Sequence, residues 1–179
     1  MQLDLLKASV LARFLQLTCE GHNKEMQDLL REQGESAESF NIVADMKTSL
    51  IRVSSRLSPF TIGYAYFLLE TLIELCQGPN KENQNICCTK PFMRSIASLL
   101  QNPCSSCLHV EEDRMKGAAV RFLLALLEGG RTSSHSKIIV EAIKIDSLLH
   151  RLKRLRQKVE ASTASSKEEA LNESEKMVE

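Results

Sequence analysis

The chain has 179 residues, 43% hydrophobic and 26% charged, which is an ordinary globular composition and long enough to bury one core. Lys+Arg and Asp+Glu both number 23, so the net charge is zero and no global field draws the chain to nucleic acid. No window reaches the roughly 20 uninterrupted apolar residues of a membrane span; residues 60–76 come nearest, but Glu70 and Glu74 interrupt them and Gly78-Pro79 follows.

The first helix is expected from Leu3 to Glu20, where Leu6, Val10, Phe14 and Leu17 step by four, four and three and share one face. Asp4 and Lys7 break its apolar start and no small-residue cleavage site follows, so a signal peptide is not expected. Without one, the six cysteines read as reduced thiols of a cytosolic chain. Gly21 stands where this helix must stop, because glycine enters the left-handed region without a Cβ clash. Asn23 then caps a second helix, Asn23 to Gln33, with Glu25 in its first turn facing the positive helix end. Gly34 stops it, and Glu35 to Ser39 is a polar link.

A third helix, Asn41 to Leu57, carries Ile42, Met46, Leu50, Val53 and Leu57 at helical spacing, and Ser58-Pro59 breaks it. The fourth, Phe60 to Gln77, is apolar nearly all round and must be covered on most sides. A short helix from Lys81 to Cys88 follows, then Pro91 to Gln101 with Thr89 as cap, then a loop from Asn102 to Val110. Glu111 to Glu128 reads as another buried helix, densely packed through Val120, Phe122, Leu123, Leu124, Leu126 and Leu127. The last helix runs from Ser134 to Glu160. From Ala161 onward the text is rich in Ser, Glu and Lys and lacks aromatics, which predicts a disordered tail over 161–179 behind a helical domain over 1–160.

A repeat organises these elements. Cys19, Gly21, Asn23, Lys24, Glu25 and Gln27 return 57 positions later as Cys76, Gly78, Asn80, Lys81, Glu82 and Gln84. A fainter copy, Leu126-Leu127-Glu128-Gly129, echoes Glu20-Gly21. Helix, glycine stop and asparagine start, repeated along a chain, mark corners between stacked helices. The expected fold is all-α, an armadillo-like α-solenoid of stacked helical hairpins, with a plain helical bundle as the alternative.

Few residues promise chemistry. Cys104 and Cys107, at C-x-x-C spacing with His109 two residues on, are the candidate metal ligands, with Cys87 or Cys88 to complete a zinc tetrahedron. The same cysteines also read as a redox-sensitive loop or as incidental thiols; no βαβ unit surrounds them, which argues against a thioredoxin motif, and the second well-spaced ligand pair usual for structural zinc is missing. Cys19 and Cys76 end apolar helix faces and read as small buried hydrophobes. His22 reads as a polar corner residue. There is no nucleophile elbow, P-loop, dinucleotide fingerprint, H-E-x-x-H or calcium-loop spacing, so no enzyme and no cofactor are expected. Arg151, Lys153, Arg154, Arg156 and Lys158 lie beside a stripe of Leu148, Leu152, Leu155 and Val159. Such a helix suits calmodulin, an acidic protein face or anionic lipid, or is simply a solvated helix end whose cations complement the dipole. Ser165 and Ser166 each precede a Glu by three positions, a context that acidophilic kinases favour.

Residues Phe14 to Asp28 (FLQLTCEGHNKEMQD) resemble the opening of the RIH-associated domain shared by inositol trisphosphate receptors and ryanodine receptors. Cys76 to Asn85 (CQGPNKENQN) resembles that domain's second signature, with Asn80 where the family usually has Cys, and Leu124 to Gly129 (LALLEG) is similar to its third helix end. The resemblance covers roughly Leu5 to Lys144, with a shortened stretch between Leu57 and Tyr64. Phe14 to Gln27 is nearer the ryanodine side, and Asn83 to Asn85 nearer the inositol trisphosphate side. The resemblance implies a non-catalytic helical module of a tetrameric calcium-release channel, at the cytosolic face of the endoplasmic reticulum. Such a module passes conformational change between ligand-sensing regions and pore, with other domains or subunits of the channel as partners, and itself neither binds the ligand nor enters the membrane. A free-standing soluble adaptor that binds a protein partner is the alternative.

Overall fold

The computed structural model describes residues 2–34, 38–104, 106–129 and 133–143, together with positions 146, 149, 152–154, 156–157, 159–160 and 163. Among these the regular structure is helical throughout: α1 (Gln2–Cys19), α2 (Lys24–Arg31), α3 (Ile42–Ser54), α4 (Ile62–Cys76), α5 (Lys81–Cys87), α6 (Lys90–Gln101), α7 (His109–Leu127) and α8 (Ser133–Ala142). Met1–Ile143 forms one compact unit and Lys144–Glu179 a second.

Three helices start where an asparagine side chain offers an acceptor to an orphan backbone N–H. Asn23 Oδ1 accepts from Met26 N–H at 3.3 Å, Asn41 Oδ1 from Ala44 N–H at 2.8 Å and Asn80 Oδ1 from Asn83 N–H at 3.2 Å. Thr89 occupies the N-cap position of α6 without a side-chain bond. The helix before each corner stops at a left-handed glycine: φ is +74° at Gly21, +106° at Gly78 and +67° at Gly129. A Cβ is strained there by about 1–2 kcal/mol, so the repeated glycine follows from backbone geometry.

Within the first unit, α1 packs on α4 and α4 on α7, giving one row; α3, α6 and α8 form a second row, with α2 and α5 bridging between them. This is the stacked-layer solenoid that the repeat predicts. Nine residues of α4 are buried, which fits its place in the middle of the stack. Phe92 of α6 and Phe122 of α7, both fully buried, meet edge to face at 5.7 Å and tie the two rows.

The apolar stripe of α1 corrects the simplest reading of its periodicity. Leu6, Val10, Phe14 and Leu17 do share a face, but they point away from the rest of the unit: Val10 is 62% exposed, Phe14 59% and Leu17 47%. The face turned to α4 is Ala12, Gln16 and Cys19, all buried. Its small side chains let α4 approach closely enough for buried Thr71 Oγ1 to sit 2.8 Å from Ala12 O. In α7, likewise, only half of the expected core positions are inside. Phe122, Leu123 and Leu126 are buried, whereas Val120, Leu124 and Leu127 face outward. Helix α7 also begins at His109, inside the expected loop, and α3 ends at Ser54, before Pro59.

In the second unit, the described positions between Asp146 and Thr163 are helical and exposed, and Arg156 pairs with Glu160 at 2.7 Å. Of the tail expected over 161–179, Thr163 is described and is helical, and the rest lies outside the described residues.

Candidate functional site

The polar residues repeated at the corners converge between layers. Gln27, at the start of α2, is buried and donates from Nε2 to Glu74 O at 2.6 Å and Gln77 O at 3.0 Å, the carbonyls at the end of α4. Gln84, its equivalent in α5, is fully buried and donates from Nε2 to Ala125 O at 2.8 Å and Glu128 O at 3.3 Å, at the end of α7. It also reaches Cys76 O at 3.2 Å. Each glutamine therefore caps the C-terminus of the next layer's first helix, adding a donor to end carbonyls of which, among the described residues, only Ala125 O has a backbone partner, Glu128 N–H at 3.4 Å. The acceptors stand four and one positions before Gly78 in one case, and four and one before Gly129 in the other.

The glycines stack in the same direction. The Cβ of His22, itself left-handed at φ +61°, would lie 3.1 Å from a Cβ added at Gly78. Pro79, 57 positions after His22, sits so tightly on Gly129 that a Cβ there would overlap its ring. Lys81 Nζ adds a bond to Glu128 O at 3.2 Å.

Asn80 is the hub of this network. Its Nδ2 donates to Gln27 Oε1 at 3.1 Å and Asp28 Oδ1 at 2.9 Å, while its Oδ1 caps α5. Arg31 Nη1 donates to Asp28 Oδ1 at 2.8 Å, Asn83 Oδ1 at 3.2 Å and Asn80 Oδ1 at 3.3 Å. Asn83 Nδ2 closes the cluster on Leu75 O at 2.7 Å. Burial alone would raise the Asp28 carboxyl, but hydrogen bonds from Asn80, Lys24 and Arg31 outweigh it and hold that carboxyl below its ordinary value. All this is positioning chemistry. It fixes the register of α2 against α4 and α5, with each donor matched to an acceptor.

The repeat singles out Gln27 and Gln84, but their role as clamps is visible only in three dimensions, and Arg31 has no counterpart in the pattern at all. The one available signal was a polar residue retained in both copies next to an apolar run.

Cys104 and Cys107 are joined in a disulfide, with Cα atoms 5.3 Å apart, inside the usual disulfide range. The expectation of six reduced thiols is therefore corrected: the loop turns back on itself and brings this pair together, while Cys19, Cys76, Cys87 and Cys88 are free and buried. The disulfide takes both sulfurs out of the candidate zinc set, and His109 is exposed at the start of α7. Among the described residues no three His, Cys, Asp or Glu side chains converge as a metal site. Burial, and then the charge of Cys87, push the Cys88 thiol up to about 11; its Sγ points at His135 O, 3.8 Å away. Of the basic residues in the last helix, Lys153, Arg154 and Arg156 are helical and exposed, as are Leu152 and Val159, whereas Arg151 and Lys158 lie outside the described residues.

No helix among the described residues is long and apolar enough to cross a membrane. The chain is 30% identical over 133 residues to the inositol 1,4,5-trisphosphate receptor itr-1 of Caenorhabditis elegans; the match covers 65% of this chain but only 4% of that receptor. Residues 2–100, which hold the first two corners and both glutamine clamps, match the model of the family described as RyR and IP3R Homology associated, and the chain belongs to that family.

Proposed function

We propose that the chain is a non-catalytic helical module of an intracellular calcium-release channel, at the cytosolic face of the endoplasmic reticulum, coupling ligand-sensing regions to the pore. The observation that carries this reading is the direction of the clamps. Gln27 and Gln84 lock each layer's helix end to the layer before it, so a displacement at α1 is handed to α4 and then to α7 as a rigid-body movement. Membership of a family shared by both receptor types, and the likeness to a receptor far longer than this chain, support the channel as the setting.

An immunoblot of membrane and cytosolic fractions, with an antibody raised to residues 13–27, tests the setting. A membrane band far above the chain's own 20.1 kDa is the expected result. A second reading, a free-standing soluble adaptor, rests on the exposed Lys153, Arg154 and Arg156 beside exposed Leu152 and Val159, a pattern suited to an acidic partner. A soluble band near 20.1 kDa would favour the adaptor and overturn the channel.

A further inference from the structure

Two contacts between successive layers, α1 on α4 and α4 on α7, share one construction. In each, a glutamine donates to carbonyls four and one positions before a left-handed glycine, and the residue after the preceding corner's glycine rests on that glycine. In each, the incoming helix buries one side against the helix before it. Thr71 of α4 bonds to α1; Phe122 and Ala125 of α7, at the same distances before Gly129 as Thr71 and Glu74 before Gly78, are buried too, Phe122 with its ring edge to face on Phe92 of α6.

Counting back from Gly21 gives the same side of α1: Val10, Phe14 and Leu17. These positions are apolar and exposed. The glycine is left-handed as in the other corners, yet a Cβ at Gly21 would meet nothing within 4 Å, whereas those at Gly78 and Gly129 meet His22 and Pro79. The carbonyls four and one positions before it belong to Leu17 and Glu20, and among the described residues no glutamine reaches them. The receiving features of a layer contact are present at α1; Leu17 O accepts only from its neighbour Glu20 N–H at 3.3 Å, and among the described residues nothing from another layer fills them.

We propose that this face of α1 receives a further helical repeat of the channel assembly, one built like the layers seen here. Its own asparagine-capped corner would place a glutamine, four residues after the asparagine as in Asn23 to Gln27 and Asn80 to Gln84, on the carbonyls of Leu17 and Glu20. The inference rests on the channel reading for the source of that repeat, and on the layer register alone for its geometry. A second copy of this chain fits less well. Its outward stripe of Val120, Leu124 and Leu127 is apolar, but six residues past Gly129, where Gln27 and Gln84 stand past their glycines, it has His135. The His135 Nε2 is already engaged with Asn85 Oδ1 at 2.9 Å.

Site-specific photo-cross-linking tests this. Benzoyl-phenylalanine is placed at Phe14 of the full-length protein in its native cells, with Leu108, exposed and off this face, as control position. The expected product is a cross-link to a helical peptide that precedes a Gly-x-Asn-x-x-x-Gln corner. Leu17→Asp, which puts a charge into the contact, should lower its yield at least about tenfold. Because Leu17 is solvent-exposed, this variant should keep its helical circular dichroism, and Val10→Lys repeats the test at a second position. A product with a second copy, with lipid or with a peptide lacking the corner, or a yield at Phe14 no higher than at Leu108, would overturn the proposal. A corner-bearing peptide from a soluble protein would support the contact and overturn the channel as its source.

Discussion

Replacing Gln84 with methionine keeps most of the side-chain volume and removes the clamp on α7. Three bonds from Nε2 are lost, to Ala125 O, Cys76 O and Glu128 O. At about 1 kcal/mol net for each, the gross loss is about 3 kcal/mol. The carbonyls are not wholly orphaned: Cys76 O also accepts from Asn80 N–H at 3.1 Å, and Glu128 O from Lys81 Nζ. The buried Oε1 of Gln84 has no hydrogen-bond partner among the described residues, so removing it returns about 1 kcal/mol of desolvation cost. The expected net destabilisation is about 2 kcal/mol. In urea that is a midpoint lowered by roughly 1 M, followed by circular dichroism at unchanged slope. Gln84→Glu should do worse, because it sets a carboxylate against carbonyl oxygens where an amide had donated. A Gln84→Met midpoint within experimental error of the parent would refute the argument that this glutamine holds the third layer to the second.

Gly129→Ala should destabilise by more than Gly21→Ala in the same urea assay; both incur the left-handed strain of about 1–2 kcal/mol, but only Gly129 is pressed against Pro79. Lowering the pH should weaken the first corner: Asp28 has a folded-state value below its unfolded one, so its stabilisation is complete above about pH 4 and is lost as pH falls through the folded value. An Asp28→Asn variant should show a flatter acid limb in pH-dependent melting. Thiol labelling with a coloured disulfide reagent should find no reactive group in the native protein, one at half-buried Cys107 after mild reduction of Cys104–Cys107, and all six after unfolding of the reduced protein, since Cys104 and the four free thiols are buried. Phe122→Ala should cost about 3–5 kcal/mol as a core truncation, and Phe14→Ser almost nothing in the isolated chain because its ring is in solvent.

The corners were readable because their causes are local. A glycine in the left-handed region and an asparagine one turn ahead of the N–H it accepts from need no knowledge of the rest of the fold, and Lys24, Ile42 and Lys81 begin their helices within one residue of the expected starts. At two starts without a side-chain cap, Ile62 of α4 and His109 of α7, the boundary lies two residues from the expected Phe60 and Glu111. The inward side of α1 was unreadable for a different reason. Close approach to α4 demands small residues such as Ala12 and Cys19 and tolerates Gln16, so hydrophobic periodicity picks out the richer stripe, and that stripe is the outward one. The network of Gln27, Arg31, Asn80 and Asn83 was hidden because polar corner residues look solvated in one dimension; only the stacking of corners buries them. The spacing of Cys104 and Cys107 fits a ligand pair, free thiols or a disulfide equally, and the loop conformation decides.

The His22–Gly78 and Pro79–Gly129 contacts also bear on how such a chain can change over time. Because the same pieces meet at each junction, a duplication or deletion of a whole block of about three helices leaves matching surfaces at the new joint. An insertion of a few residues inside a helix does not: it rotates the outward stripe by about 100° per residue and carries the glycine out of reach of its partner. Length variation among chains of this construction should therefore come in whole blocks or in the links between helices, such as residues 32–41, and not within α1, α4 or α7.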